Sequence, residues 1–232
     1  MLLYRLRKEV CEANIQLQTS GLVKYTWGNV SGFDNNMGLV VIKPSGVEYD
    51  ELTAESMVIV DLNGHVVEGS LKPSTDTPTH IELYKAIPGL GGITHTHSLW
   101  ATAWAQAGVN IPAYGTTHAD CFFGEIPCTR EMTQDEVENG YEKNSGKVIV
   151  EHIQGTGVGE MNAILLKNHG PFTWGKTPME AEKNSEYLEE VAKLAWITHA
   201  IKDDIPGMPY VLLQKHYFRK HGMGAYYGQN NK

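Results

Sequence analysis

Apolar side chains in the first part of the chain recur at the three- and four-residue spacing of a helix, and Thr19-Ser20-Gly21 follows them. This pattern predicts a first helix that ends near residue 19. From Tyr25 onward the pattern changes to short apolar runs separated by turn residues. GNVSGFD and GLVVIKPSG flank a turn at Asp34-Asn35-Asn36, and MVIVDLNGHVVEG predicts a hairpin about Asn63-Gly64. We therefore expect the first third of the chain to form mostly antiparallel sheet.

Helical and extended patterns alternate through the rest of the chain. The Ser/Thr/Asp cluster before Pro78 predicts a helix start, GGITHTHS predicts a strand, and SLWATAWAQAG predicts a helix ended by Gly108. We expect IPAYGTTHAD to be a strand or an extended loop and TQDEVENGYEKNSGKVIVEHI to be helical. NAILLKNHGPFTWG predicts one short buried strand that ends at residues 168–171. Two amphipathic helices follow, TPMEAEKNSEYLEEVAKLAWITHAI and PYVLLQKHYFRKHG.

Composition places the chain among ordinary globular proteins. Of its 232 residues, 41% are hydrophobic and 20% charged, unlike the composition of disordered chains. The formal net charge of −8 lacks the basic excess of a nucleic-acid binder. No apolar run approaches the roughly 20 residues that span a bilayer, and the N-terminus does not resemble a signal peptide. Three cysteines without a C-x-x-C pair argue against a disulfide framework. We expect one cytoplasmic domain without a nucleic-acid or membrane partner.

Two histidines interrupt the apolar run GGITHTHSLWATAW. Side chains at positions i and i+2 of a strand point to the same face, so His95 and His97 would present their imidazoles side by side. A third histidine, His169, ends another predicted strand. Three imidazoles with one open coordination position are typical of catalytic zinc, and nitrogen donors suit zinc, cobalt or nickel better than calcium or magnesium. The alternative is a pair of hydrogen-bonded core histidines, and other histidines of the chain compete for the third position.

Two carboxylates and three loop segments are further candidates. Asp76 and Asp120 lie near the histidine-bearing strands, although Asp76 before Thr-Pro also fits an N-cap and a loop aspartate is usually solvated. Gly28-Asn29, Ser45-Gly46 and Ser74-Thr75 lie at strand or helix ends, where free backbone N–H groups can hold an anion. Each segment taken alone is equally well explained as a turn.

The C-terminal segment HGMGAYYGQNNK follows a helix rich in basic residues. A frayed, basic chain end is one interpretation. The other is docking on a neighbouring subunit, because two adjacent tyrosines among glycines are costly to leave in water.

Nine short motifs follow one another between residues 26 and 229: TWGNVS, VIKPSGV, KPSTDTPTH, HTHS, GTTHAD, IPCTR, HGPFTWG, KHYFRKHG and AYYGQ. In their order and spacing the chain resembles the L-ribulose-5-phosphate 4-epimerases of the class II aldolase/adducin family, over nearly its whole length. The resemblance implies a single α/β domain over residues 1–232, a three-layer α/β/α sandwich with a central, largely antiparallel sheet. It also implies a homotetramer with active sites between subunits, in which residues 209–232 contribute to a neighbouring subunit.

The resemblance also implies which residues hold a metal ion. The ligands would be His95, His97 and His169, with Asp76 beside the metal as part of the same set. The ion would be Zn²⁺, with Co²⁺ or Mn²⁺ as alternatives.

Carried over in the same way, Asp120 and Tyr227 would be the acid/base pair, with Tyr227 and His216 coming from the adjacent subunit. The phosphorylated ketopentose substrate would be bound by loop and tail residues. These are Gly28, Asn29, Lys43, Ser45, Gly46, Ser74, Thr75, Thr116 and His216.

The implied reaction interconverts L-ribulose 5-phosphate and D-xylulose 5-phosphate, in arabinose or ascorbate catabolism. C4 of the sugar has no adjacent carbonyl, so simple enolisation cannot invert it. Retro-aldol cleavage between C3 and C4, rotation of the aldehyde and re-addition to its other face would do so. Proton donors on both faces are then required, and Asp120 and Tyr227 fit that need.

Two other functions fit the same family. An L-fuculose 1-phosphate aldolase would share the three histidines but carry glutamate beside the metal, and Asp76 and the AYYGQ ending argue against it. An adducin-like binding domain would keep the fold without the metal site, and the presence of all three histidines argues against it. Thr75, Cys121 and Asn168 depart from the expected pattern, in which serine, tyrosine and serine or glutamine are usual.

Overall fold

The structure is a computed structural model that describes residues 1–156 and 161–228. The helices are α1 (Tyr4–Thr19), α2 (Thr77–Ala86), α3 (Leu99–Ala107), α4 (Thr116–Ala119), α5 (Gln134–Glu138), α6 (Tyr141–Thr156), α7 (Pro178–Ile201) and α8 (Tyr210–His221). The strands are β1 (Asn29–Asp34), β2 (Leu39–Ile42), β3 (Val58–Asp61), β4 (Val66–Glu68), β5 (Gly92–His95), β6 (Ala163–Leu166) and β7 (Gly170–Gly175). Gln229, the last residue of the AYYGQ motif, lies outside the described residues.

One sheet organises the described residues, with strand order β4-β3-β2-β1-β5-β7-β6. Every pairing between its named strands is antiparallel. The first four strands are joined in sequence, and this confirms the expectation that the first third of the chain is mostly antiparallel sheet. Because β5 lies between β1 and β7, residues that are far apart in sequence meet where these strands end.

Helices cover both faces of this sheet and form three layers, as expected. Val40 and Ile42 of β2 pack with α2 and α6, whereas the alternating Leu39 and Val41 pack with α1. Helices α3 and α7 enclose a third apolar cluster on the α1 side, against β6. Strands buried on both faces need apolar residues at every position, and each buried aliphatic side chain contributes about 1.5–3 kcal/mol.

The structure corrects the expected interpretation of NAILLKNHGPFTWG. This segment forms two strands, β6 and β7, joined by a tight turn, and not one strand. Asn168 adopts a left-handed backbone conformation (φ 63°) at the turn, which reverses the chain, and His169 therefore lies in a hairpin turn. Asn tolerates this conformation better than most residues because its short side chain can bond locally.

Two further expectations are also wrong. The segment predicted as a strand or extended loop contains the short helix α4, with only Ile111 paired to Ile126 by an isolated bridge. The stretch predicted as continuously helical is divided into α5 and α6 at Gly140, whose φ of 102° no helix allows. In the described part of the chain, no helix is long and apolar enough to cross a membrane. All three cysteines are free, as expected.

Candidate functional site

Three histidines converge at one edge of the sheet. His95 is the last residue of β5, His97 follows two positions later, and His169 occupies the β6–β7 turn. Because β5 and β7 are neighbours, their ring centroids lie 4.7–5.0 Å apart in pairs. One ring nitrogen from each comes within 4.8 Å of the others, so the trio can hold a metal ion. The same-strand argument for the first pair is wrong in detail, because His97 lies beyond the end of β5.

Hydrogen bonding fixes the tautomer of His95. Its Nδ1 lies 2.9 Å from the carbonyl oxygen of Pro171, and since a carbonyl can only accept, Nδ1 carries the proton. In the neutral ring Nε2 then holds the lone pair, and this atom is buried without a hydrogen-bond partner among the described residues. The ring also stacks on Phe172, with centroids 4.2 Å apart. A buried acceptor left unpaired, held by a partner on the other nitrogen, is the arrangement of a metal-binding imidazole.

The pKa values of the other two imidazoles are lowered, although the His97 residue is exposed and His169 is half-buried. Desolvation lowers the pKa of His97 to about 4 and that of His169 to about 3, and the neighbouring histidines add to both shifts. Near pH 7 both rings therefore retain a lone pair, which a metal ligand requires.

Asp76 lies in the cavity beside the histidines. It occupies the N-cap position of α2, but its side chain makes no capping bond; instead its Oδ2 accepts a hydrogen bond of 2.7 Å from Asn29 Nδ2. Burial raises the pKa of Asp76, but the electrostatic influence of His95 and His80 and the bond from Asn29 outweigh that effect and hold the pKa below its ordinary value. The carboxylate thus adds negative charge, although the converging donor set consists of the three histidines. Direct ligation by Asp76 stays a prediction.

Two Lys-Pro-Ser segments form one wall of this cavity. Pro44 and Pro73 pair in an antiparallel bridge, and Ser45 N–H and Ser74 N–H donate to the carbonyls of Lys72 and Lys43, at 2.9 and 3.0 Å. The cavity has a volume of about 720 Å³. Seven of the expected substrate-binding residues line it: Gly28, Asn29, Lys43, Ser45, Gly46, Ser74 and Thr75. Asp76, His97 and His169 line the same cavity.

Lys43 brings positive charge to this wall. Its side chain is buried, and Nζ donates to the carbonyls of Val47 and Pro44, at 2.7 and 3.3 Å, while lying 4.8 Å from the centre of the Tyr49 ring. Desolvation lowers the pKa of Lys43 to about 8. Among the described residues no carboxylate forms an ion pair with it. The ammonium is therefore free to neutralise a phosphate.

Gly28 lies close to the end of β5. Its backbone has φ 90°, and a Cβ at this position would lie 2.8 Å from the carbonyl oxygen of His95. Only glycine therefore permits the TWGN loop to pack so closely on the end of β5. Tyr49 holds the same loop by donating from its hydroxyl to the carbonyls of Trp27 and Gly28.

A second cluster surrounds Asp120, at the end of α4. Its carboxylate accepts hydrogen bonds from His216 Nδ1 at 3.0 Å and from Arg219 Nε and Nη2 at 3.0 and 2.5 Å. Tyr227 packs its ring 4.7 Å from the Arg219 guanidinium carbon and 4.6 Å from Lys220 Nζ. Burial raises the pKa of Asp120, but the bonds from Arg219 and His216 outweigh it and hold the pKa below its ordinary value. We call Asp120, His216, Arg219, Lys220 and Tyr227 the Asp120 cluster.

The structure does not bring the Asp120 cluster to the histidines of its own chain. Asp120, Tyr227, His216 and Thr116 are absent from the cavity lining within the described residues. Within the chain, His216 bonds to Asp120 and Tyr227 packs beside Arg219. The expected contribution of Tyr227 and His216 to a neighbouring subunit's site stays a prediction.

Comparison with known proteins agrees with this fold. The model of the class II aldolase and adducin N-terminal domain matches residues 8–196. The chain belongs to this family. An L-fuculose 1-phosphate aldolase structure is 25% identical with a TM-score of 0.78, covering 94% of this chain and 96% of that chain. The L-fuculose-1-phosphate aldolase of Thermus thermophilus is 25% identical with a TM-score of 0.68, covering 88% and 99%. YgbL of Klebsiella pneumoniae, whose description leaves aldolase, epimerase and decarboxylase open, is 26% identical with a TM-score of 0.70, covering 91% and 97%.

Of the cavity-lining residues that sequence reasoning did not select for this class II aldolase family member, Tyr141 and Trp27 lie beside the histidines. Tyr141 opens α6 and bonds through its hydroxyl to His169 Nδ1, at 2.9 Å. Trp27 lines the cavity near His97, with ring centroids 6.2 Å apart, although about half of its surface is exposed. Tyr141 has no signal in the sequence because its neighbours form an ordinary polar helix start. Trp27 lies within the TWGNVS motif and could have been chosen from it.

Proposed function

We propose that this chain is a metal-dependent epimerase that interconverts L-ribulose 5-phosphate and D-xylulose 5-phosphate by retro-aldol cleavage and re-addition. One observation carries the proposal: two of three convergent imidazoles line the same cavity as a lysine ammonium that has no carboxylate partner among the described residues. A phosphorylated sugar that also offers neighbouring oxygens to a metal ion matches that arrangement. Arabinose and ascorbate catabolism both need this reaction.

The donor set suits a particular kind of cation. Three imidazoles with an adjacent carboxylate favour Zn²⁺, with Co²⁺ or Mn²⁺ as alternatives. When bound, such an ion acts as a Lewis acid that stabilises negative charge developing on substrate oxygens.

Phosphate anchoring is assigned to the Lys-Pro-Ser wall. Lys43 supplies the charge, and Ser45, Ser74 and Thr75 supply hydroxyl groups around it. Cleavage of the C3–C4 bond yields glycolaldehyde phosphate, which must turn over before the bond re-forms. An anchored phosphate keeps this fragment in the cavity during the rotation.

Proton transfer at the C4 oxygen is assigned to Asp120 and Tyr227 of a neighbouring subunit. As the C3–C4 bond breaks, the C4 hydroxyl loses its proton to a base. As the bond re-forms on the other face, the new C4 oxygen gains a proton from an acid. The depressed pKa of Asp120 favours the carboxylate as the base, held in place by Arg219, and leaves Tyr227 as the donor.

Exposed apolar side chains support assembly into an oligomer. Trp196 and Ile201 of α7 and Tyr210 and Val211 of α8 are between 52% and 82% exposed. Apolar exposure on this scale is typical of protein–protein interfaces. We propose a homotetramer in which these helices meet and each Asp120 cluster faces a neighbour's histidine cavity.

An aldolase acting on L-fuculose 1-phosphate is the second candidate, because two similar structures carry that name. Asp76 favours the epimerase, since its side chain is one methylene shorter than the glutamate expected beside the metal of such an aldolase. The presence of both Tyr227 and Asp120 in one cluster also favours the epimerase, because inversion needs two proton-transfer groups.

Product analysis distinguishes the two candidates. The purified protein is incubated separately with L-ribulose 5-phosphate and L-fuculose 1-phosphate, with and without a chelator. The epimerase proposal expects chelator-sensitive D-xylulose 5-phosphate from the first and no dihydroxyacetone phosphate from the second. Cleavage of the second substrate alone would favour the aldolase. Inactivity on both, with no divalent ion bound, would favour an adducin-like binding domain.

A further inference from the structure

The three histidines differ in how their second ring nitrogen is held. His95 Nδ1 faces a backbone carbonyl, which fixes one tautomer unconditionally. His169 Nδ1 instead faces the hydroxyl of Tyr141 at 2.9 Å, and a hydroxyl can either donate or accept. The two rings also lie nearly parallel, with centroids 5.9 Å apart, so the phenol restricts the orientation of the imidazole.

Tyr141 is itself held firmly in place. It opens α6, and Thr79 Oγ1 of α2 donates to the carbonyl of the next residue, Glu142, at 2.6 Å. Gly146 brings α6 against α2, since a Cβ there would lie 2.7 Å from Glu82 Cβ. Contacts with α2 therefore hold the start of α6, from which the Tyr141 hydroxyl reaches His169.

We propose that Tyr141 is a positioning residue for the metal site. Its hydroxyl accepts the Nδ1 proton of His169, so that the Nε2 lone pair of this ring faces His95 and His97. Without the hydroxyl, the tautomer that binds metal leaves a partly buried N–H group of His169 without its acceptor, and this cost weakens metal binding. This inference rests on the proposed metal site and adds a residue to it.

The variant Tyr141→Phe removes the hydroxyl alone and keeps the ring against His169. Tyr187→Phe is the matched control, because Tyr187 lies on α7 beside Lys183 and away from the cavity. Zinc affinity is measured by competition with a chromophoric chelator, and Co²⁺-substituted proteins are compared by their visible spectra. Thermal unfolding of the metal-free proteins reports on any purely structural role.

We expect Tyr141→Phe to bind zinc about 10- to 100-fold more weakly than wild type. Its Co²⁺ spectrum should change, while its metal-free unfolding temperature and the affinity of Tyr187→Phe should match wild type. Equal zinc affinity in wild type and Tyr141→Phe would overturn the inference and leave the proposed function standing. If metal-free Tyr141→Phe unfolds at a lower temperature than metal-free wild type, Tyr141 has a structural role instead. Failure of wild type itself to bind zinc or Co²⁺ would overturn the metal site and this inference together.

Discussion

Lys43 is a cation without a carboxylate partner among the described residues, and burial brings its pKa to about 8. Because the pKa is lowered, the ammonium is present below pH 8 and lost as the pH rises through that value. Phosphate binding should therefore weaken between about pH 7.5 and 9.5. Inhibition by inorganic phosphate, measured across this range, tests the expectation.

Replacement of Lys43 separates its charge from other effects of pH. Lys43→Met should weaken phosphate inhibition about 10- to 100-fold near neutral pH and remove its dependence on pH up to about 9.5. Lys72→Met is the matched control, because Lys72 occupies the same place in the second Lys-Pro-Ser segment but is exposed and outside the cavity. Equal phosphate affinity in both variants would contradict the assigned role of Lys43.

Asp120 and Tyr227 should be needed for proton transfer and not for metal binding. Asp120→Asn and Tyr227→Phe are expected to slow epimerisation by at least about 100-fold, the scale of a lost acid or base. Metal analysis of both variants should match wild type, because neither residue lines the histidine cavity of its own chain. Wild-type rates in both variants would remove the proposed roles.

At the level of elements, the packing of α6 on α2 depends on one glycine. A Cβ at residue 146 would lie 2.7 Å from Glu82 Cβ and 2.9 Å from the Thr79 carbonyl oxygen. Gly146→Ala should therefore lower the free energy of unfolding by about 1–3 kcal/mol, as overpacking does.

Gly155→Ala supplies the opposite control on the same helix. Among the described residues, nothing lies within 4 Å of a Cβ at residue 155. Alanine there should stabilise the protein by about 0.5–1 kcal/mol through its higher helix propensity. Chemical denaturation of both variants measures the pair, and equal effects would contradict the close approach of α2 and α6.

Elements with a strong local pattern could be predicted from the sequence. The Asn63-Gly64 hairpin, α1, α2, α3, α7 and α8 have turn or cap residues at their ends and a regular apolar period between them. The β6–β7 hairpin could not, because Asn168 supplies its left-handed turn without a glycine. Helix α4 has a single turn, which is too short for any periodic signal.

The candidate site could be predicted only in part, for a similar reason. Spacing and loop position indicated the histidines and the serine-containing segments, the resemblance to class II aldolases assigned their roles and added Lys43, and the sheet order explains why the histidines meet. The bonds from His216 and Arg219 to Asp120 span 96 and 99 residues. Such contacts depend on where α8 packs against α4, and nothing local in the sequence determines that position.

For the whole molecule, the separation of the two clusters within one chain is the central structural constraint. Each chain carries a histidine cavity and an Asp120 cluster, but the cluster does not line its own cavity in the described part of the chain. The proposed reaction needs both. We therefore propose that a complete site combines the cavity of one subunit with the Asp120 cluster of another.

Mixed oligomers test this combination most directly. His97→Asn and Asp120→Asn proteins, each inactive alone, are denatured together, refolded, and assayed for D-xylulose 5-phosphate formation after mixed assembly is verified by mass. A shared site predicts recovery of about a quarter of wild-type activity, since about one site in four receives an intact cavity and an intact cluster. Asp120→Asn mixed with Tyr227→Phe should recover none, because both residues belong to one cluster. No recovery in verified His97→Asn and Asp120→Asn mixed oligomers would contradict the account.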